Sequence, residues 1–93
     1  MVTVVLTLRL DLPGAQSLKD KRRVLKSMMT RMRNDFNISM AEVDLNDHPR
    51  HALIGAAVIS NSGQFGQQVM AKVIDRVTAN PELMVIDVQV ESF

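Results

Sequence analysis

The chain has 93 residues, 46% of them hydrophobic and 23% charged, which suits one core, so a single domain over residues 1–93 is expected. It contains no cysteine, which excludes disulfides, thiolate metal sites and cysteine nucleophiles and fits a cytoplasmic protein. The net charge of +1 conceals an asymmetry: Lys19, Lys21, Arg22, Arg23, Lys26, Arg31 and Arg33 crowd one segment whose only carboxylate is Asp20, while the remaining chain has four cations against nine carboxylates.

From Val2 to Leu12 the apolar residues Val2, Val4, Leu6, Leu8, Leu10 and Leu12 take the even positions, with Thr3, Thr7, Arg9 and Asp11 between them. Period-two alternation predicts a half-buried strand. The run is too short to cross a bilayer and lacks the basic leader and small-residue cleavage site of a secretory signal, so no membrane association is expected. Pro13-Gly14 breaks the strand, and Ser17-Leu18-Lys19-Asp20 has the spacing of a capping box. A helix is predicted over 18–36, with Leu18, Leu25, Met28, Met29, Met32 and Phe36 as its buried stripe.

Two apolar runs, 38–45 and 52–59, flank the turn-prone Asn46-Asp47-His48-Pro49-Arg50 and read as a hairpin. The second run is apolar at nearly every position, as expected of a strand inside a sheet. Ser60-Asn61-Ser62-Gly63 introduces a second amphipathic helix whose apolar stripe is Phe65, Val69, Met70, Val73, Ile74 and Val77, stopped by Asn80-Pro81. A last strand is expected to put Met84, Ile86, Val88 and Val90 on one face and Val85, Asp87, Gln89 and Glu91 on the other. The order βαββαβ predicts an α+β, ferredoxin-like fold: a four-stranded antiparallel sheet of order 4-1-3-2 with both helices on one face.

Within the basic segment, Lys19, Arg22, Arg23, Lys26 and Arg33 step by three, one, three and seven and line one flank of the first helix, while Lys21 and Arg31 point elsewhere. A solvated surface helix explains such charge without any ligand. Two details argue for more. Cations near a helix N-terminus oppose the helix dipole, and Asp35 near the C-terminus does the same. The stripe also has no carboxylate at i±4 to neutralise it. An external anion is therefore expected, with RNA phosphates as the favoured one, contacted by Lys19, Arg22, Arg23, Lys26 and Arg33 and helped by Lys21.

The three aromatic residues are all Phe, and none is expected on the open sheet face, so base stacking of the RNA-recognition-motif kind is disfavoured and contact should be helix-led and backbone-directed. The open face instead offers Thr3, Val5, Thr7, Val85, Leu53, Ala57 and Ile59, a partly apolar surface suited to a sheet-to-sheet homodimer. Glu42, Asp44, Asp47, His48 and His51 are the only cluster with metal-ligand chemistry, but hairpin tips are commonly polar, and neither a metal nor another cofactor is expected. An acylphosphatase-like hydrolase is the natural enzymatic alternative, yet Pro13-Gly14-Ala15-Gln16-Ser17 lacks an arginine to clamp phosphate. No catalytic residue is assigned.

Ser17-Leu18-Lys19-Asp20-Lys21-Arg22-Arg23-Val24-Leu25-Lys26-Ser27 resembles the signature of the YlxP-like family of small bacterial proteins of unassigned function. Phe36-Asn37-Ile38-Ser39-Met40-Ala41-Glu42-Val43-Asp44 and Ile54-Gly55-Ala56-Ala57-Val58-Ile59-Ser60-Asn61 resemble it too, so the likeness runs along nearly the whole chain. The resemblance implies a ferredoxin-like fold. The family's gene neighbourhood, among translation-initiation and ribosome-maturation genes, implies a role near the small ribosomal subunit, and the family supplies no active site. The chain departs from the pattern at His48-Pro49, where a bulkier apolar or aromatic residue is expected. The favoured expectation is a non-enzymatic RNA-binding or ribosome-associated accessory factor, and the alternative is a self-associating regulatory or protein-interaction domain that uses the open sheet face.

Overall fold

A computed structural model describes all 93 residues. The elements follow the order β1 (Val2–Asp11), α1 (Leu18–Asp35), β2 (Ser39–Asp44), β3 (His51–Ser60), α2 (Gly63–Thr78) and β4 (Met84–Ser92). The strands form one antiparallel sheet of order β2-β3-β1-β4, the expected split βαβ arrangement. No helix is long and apolar enough to cross a membrane.

The alternation in β1 works as its pattern dictates: Val4, Leu6, Leu8 and Leu10 are fully buried under the helices, and Leu12 continues the row just past the strand. On β3, Ala52, Ile54, Ala56 and Val58 fill the same layer. Side chains of paired residues share a face, so Thr3, Val5 and Thr7 of β1 lie beside Ile59, Ala57 and Gly55 of β3 on the open face. Each fully buried aliphatic side chain contributes roughly 1.5–3 kcal/mol, and this double row anchors the fold.

Both helices seat on that layer, but not with every residue their spacing predicts. On α1 the buried positions are Lys21, Val24, Leu25, Met28 and Met32, and Leu18, Met29 and Phe36 are only half-buried. On α2, Met70, Val73 and Val77 are buried as expected, whereas Phe65 is 58% exposed. The reason is Gly66: a Cβ there would lie 2.7 Å from Val4 Cγ2, so the helix backbone rests directly on β1 and Phe65 is turned aside. Phe65 forms instead a wall of a cleft of about 390 Å³ with Phe36, Ile59 and Val69.

The last strand departs from simple alternation. Pairing between β1 and β4 slips between Arg9 and Leu10, so Leu8 faces Val88, Arg9 faces Asp87 and Leu10 faces Val85, with Ile86 as the extra residue of a bulge. Val85 therefore shares the helix side with Leu10 and packs against the core, not on the open face where the pattern put it. Met84, opposite Asp11, lies on the open side, while Val88 and Val90, opposite Leu8 and Leu6, keep the helix-side placement.

Candidate nucleic-acid interface

The first helix is fixed at its start by Ser17, whose Oγ accepts a hydrogen bond from the Asp20 N–H at 3.1 Å while Asp20 Oδ2 accepts one from Gln16 N–H at 3.1 Å. With Val24, Leu25, Met28 and Met32 turned into the core, the 3.6-residue repeat sends Lys19, Arg22, Arg23, Lys26 and Arg33 outward, and all five are exposed. Lys19, Arg22 and Lys26 make no ion pair or hydrogen bond within the protein.

Arg23 lies 3.8 Å from Glu82, but both side chains are more than half exposed and water screens the pair. Arg33 Nη1 donates to the Met40 carbonyl at 3.1 Å, which tethers it beside edge strand β2 and leaves its other guanidinium donors free. Asp35, unfavourable beside the helix C-terminus, is paired with Arg76 of α2, whose guanidinium carbon sits 5.7 Å from the Phe36 ring centroid. That placement thus has a local explanation, whereas Lys19 and Arg22 at the other end have none.

Lys21 is the correction to the sequence-derived set. Its side chain is fully buried, and Nζ donates to Glu42 Oε2 at 2.8 Å, the Leu45 carbonyl at 2.9 Å and the His51 carbonyl at 3.1 Å, with the Asn46 carbonyl at 3.3 Å. Three ammonium protons are fully employed there, so Lys21 has nothing to offer a phosphate. It occupies the core face because its four-carbon stem packs like an apolar side chain and delivers the charge to the base of the β2–β3 hairpin.

Sequence spacing also missed part of the outer surface. Arg23, Lys26, Ser27, Thr30, Arg31 and Asn34 line a shallow concavity of about 450 Å³ along α1, with three cations, two hydroxyls, one amide and no carboxylate. Arg31, set apart from the first stripe, forms its far wall. The steps of three, one, three, one and three from Arg23 to Asn34 mark one helical face, a signal present in the sequence that the charged residues alone do not show.

Most side chains of the hairpin cluster have partners within the fold. Glu42 serves Lys21, His48 Nδ1 accepts from the backbone N–H groups of Arg50 and His51 at 3.1 Å each, and His51 Nδ1 lies 3.2 Å from Asp11 Oδ1. An arginine does reach the β1–α1 loop, since Arg50 Nε donates to the Ala15 carbonyl at 3.2 Å, and this donor is used to hold the loop.

Comparison with known proteins agrees with the sequence resemblance. Residues 3–90 match the family described as "Protein of unknown function (DUF503)". "Uncharacterized protein YlxP" of Bacillus subtilis (strain 168) is 35% identical over 69 residues, which cover 74% of this chain and 75% of that protein. The match over residues 3–90 takes in the whole basic helix and the hairpin that Lys21 staples, and the chain belongs to this family of proteins of unknown function.

Proposed function

We propose that the protein is a non-enzymatic RNA-binding accessory factor that works at the small ribosomal subunit, with the outer surface of α1 laid along phosphates. The observation that carries this reading is the set of exposed α1 cations without carboxylate partners, Lys19 in the first turn, Arg22 just after it and Lys26 one turn further along the same flank. Lys19, in the first turn, opposes the helix dipole by about 0.3–1 kcal/mol, and the three like charges on one flank repel one another. A polyanion removes that penalty and releases its own counterions on binding. Arg23, Lys26, Arg31 and the hydroxyls of Ser27 and Thr30 add a carboxylate-free cradle where phosphate oxygens find both charge and hydrogen-bond donors. Arg33, free at its remaining donors, extends the contact toward β2.

The test is sedimentation with purified small ribosomal subunits at low and moderate salt. The wild-type protein is expected to co-sediment at low salt and to lose affinity as salt rises. A Lys19→Glu/Arg22→Glu/Lys26→Glu variant, which leaves Lys21 and the core untouched, is expected to stay in the supernatant. Absence of co-sedimentation by the wild type at either salt refutes the ribosomal assignment.

A further inference from the structure

We infer that β4 is a self-association edge, and that two copies of this chain pair antiparallel through it to make one continuous eight-stranded sheet. The two edges of the sheet are treated differently. Strand β2 is six residues long, is bulged at Val43, and has the Met40 carbonyl taken by Arg33 with the α1 cations nearby. These devices block strand addition. Strand β4 is nine residues long and carries no Lys, Arg or Pro, and its only irregularity is the bulge at Ile86 near its start. Val88 and Val90 lie on the helix side, in the same layer as the core, yet remain 39% and 41% exposed. From α2, the uncharged Gln67 hydrogen-bonds this strand, its Nε2 donating to Ser92 Oγ at 3.1 Å.

The free backbone groups can be assigned from the ladder. Thr3 and Phe93 exchange both of their backbone hydrogen bonds, at 3.0 and 2.8 Å. Hydrogen-bonded and open pairs alternate along an antiparallel ladder, so Val88, Val90 and Ser92 point their N–H and C=O groups away from β1. A dyad normal to the sheet keeps both helix layers on the same side, and only certain registers join outward groups to outward groups.

Charge selects among them. With the dyad at Val90, that residue meets its own copy, Val88 meets the second copy's Ser92, and Gln89 meets the second copy's Glu91, amide against carboxylate. All three outward residues are then paired. Moving the dyad to Gln89 sets Asp87 against Glu91, and moving it to Glu91 sets that carboxylate against itself, both unfavourable. Moving it to Val88 sends Val90 into the bulge at Ile86, and moving it to Ser92 leaves one outward pair. The occupant that fits this edge is therefore a second copy in the Val90-centred register.

The experiment is sedimentation equilibrium of the full chain across the micromolar range. A species of twice the 10.4 kDa chain mass is expected to accumulate with concentration. Val90→Pro removes an N–H that points away from β1, so it should abolish the dimer while circular dichroism reports a retained fold. Gln89→Glu, on the open face, should weaken dimerisation by about tenfold or more, and Gln89→Lys should strengthen it. A wild type that stays monomeric throughout overturns the assignment. So does a dimer indifferent to both Val90→Pro and Gln89→Glu, and if Leu53→Lys breaks that dimer, the open sheet face is the interface instead.

Discussion

Lys21 Nζ sits 2.8 Å from Glu42 Oε2, and the two side chains are 0% and 13% exposed. This is a buried ion pair between the first turn of α1 and β2, and it turns one cation of a basic motif into a staple for the β2–β3 hairpin. The ammonium also donates to the carbonyl of Leu45, the one non-glycine residue with positive φ, at 62°. A left-handed leucine is costly by roughly 1–2 kcal/mol, and the lysine helps hold the turn that demands it.

Breaking such a pair from one side leaves a charge buried without its partner. Lys21→Met keeps the stem's volume but strands Glu42 and the Leu45 and His51 carbonyls, so a loss of about 3–5 kcal/mol in urea unfolding is expected. Adding Glu42→Gln should recover part of it, and the double-mutant cycle should show coupling above about 1 kcal/mol. A Lys21→Met protein within about 0.5 kcal/mol of wild type would show that the staple contributes nothing.

Gly66 is the second position where one atom decides the packing. A Cβ there would approach Val4 Cγ2 to 2.7 Å, below any ordinary contact. Gly66→Ala gains helix propensity, yet the overpacking should dominate and lower stability by about 1–3 kcal/mol. In a Val4→Ala background the obstructing methyls are gone, and the same substitution should be neutral or stabilising. Equal effects in both backgrounds would mean that α2 does not rest on β1 at this point.

Much of the architecture was legible because its signals are local and repeated. Alternation in β1, the Ser17 cap, the continuous apolar run of β3 and the Asn80-Pro81 stop place the elements and, with right-handed crossovers, the strand order. What the pattern hid depends on contacts between distant residues. The bulge at Ile86 moves Val85 to the core side and Met84 to the open side, and nothing within β4 announces the slip against Arg9 and Leu10. Phe65 looks like a core residue until Gly66 is recognised as the point of close approach. Lys21 reads as one more cation in a basic run, and only its i, i+3, i+4 and i+7 relation to Val24, Leu25 and Met28 hints that it lies on the buried face.

The hairpin has its own local lock. His48 Nδ1 accepts from two successive backbone N–H groups, those of Arg50 and His51, which acts as an Asx-type turn made by an imidazole. His48→Ala should cost about 1 kcal/mol and speed hydrogen exchange at residues 50 and 51. His48→Asp supplies an acceptor at a similar position and should restore much of the protection. If Ala and Asp variants exchange alike, the side-chain acceptor is not what orders this turn.

Salt dependence separates the α1 cations by the role each plays. On the phosphate reading, every cation that neutralises a phosphate contributes about one to the slope of log affinity against log salt. Arg22→Ala and Lys26→Ala, at side chains with no partner inside the protein, should each lower that slope by about one and weaken all RNA sequences alike. Arg33→Ala should lower it by less, because one donor already serves the Met40 carbonyl. Arg31→Ala tests the second wall of the cradle, and it should act like Lys26→Ala if phosphate enters between Arg23 and Arg31. Filter-binding titrations from low to moderate salt give all four slopes. A unit loss at Arg22 with none at Arg31 confines the contact to the first stripe. Slopes that no substitution changes would mean that α1 is a solvated face and that phosphate is bound elsewhere or not at all.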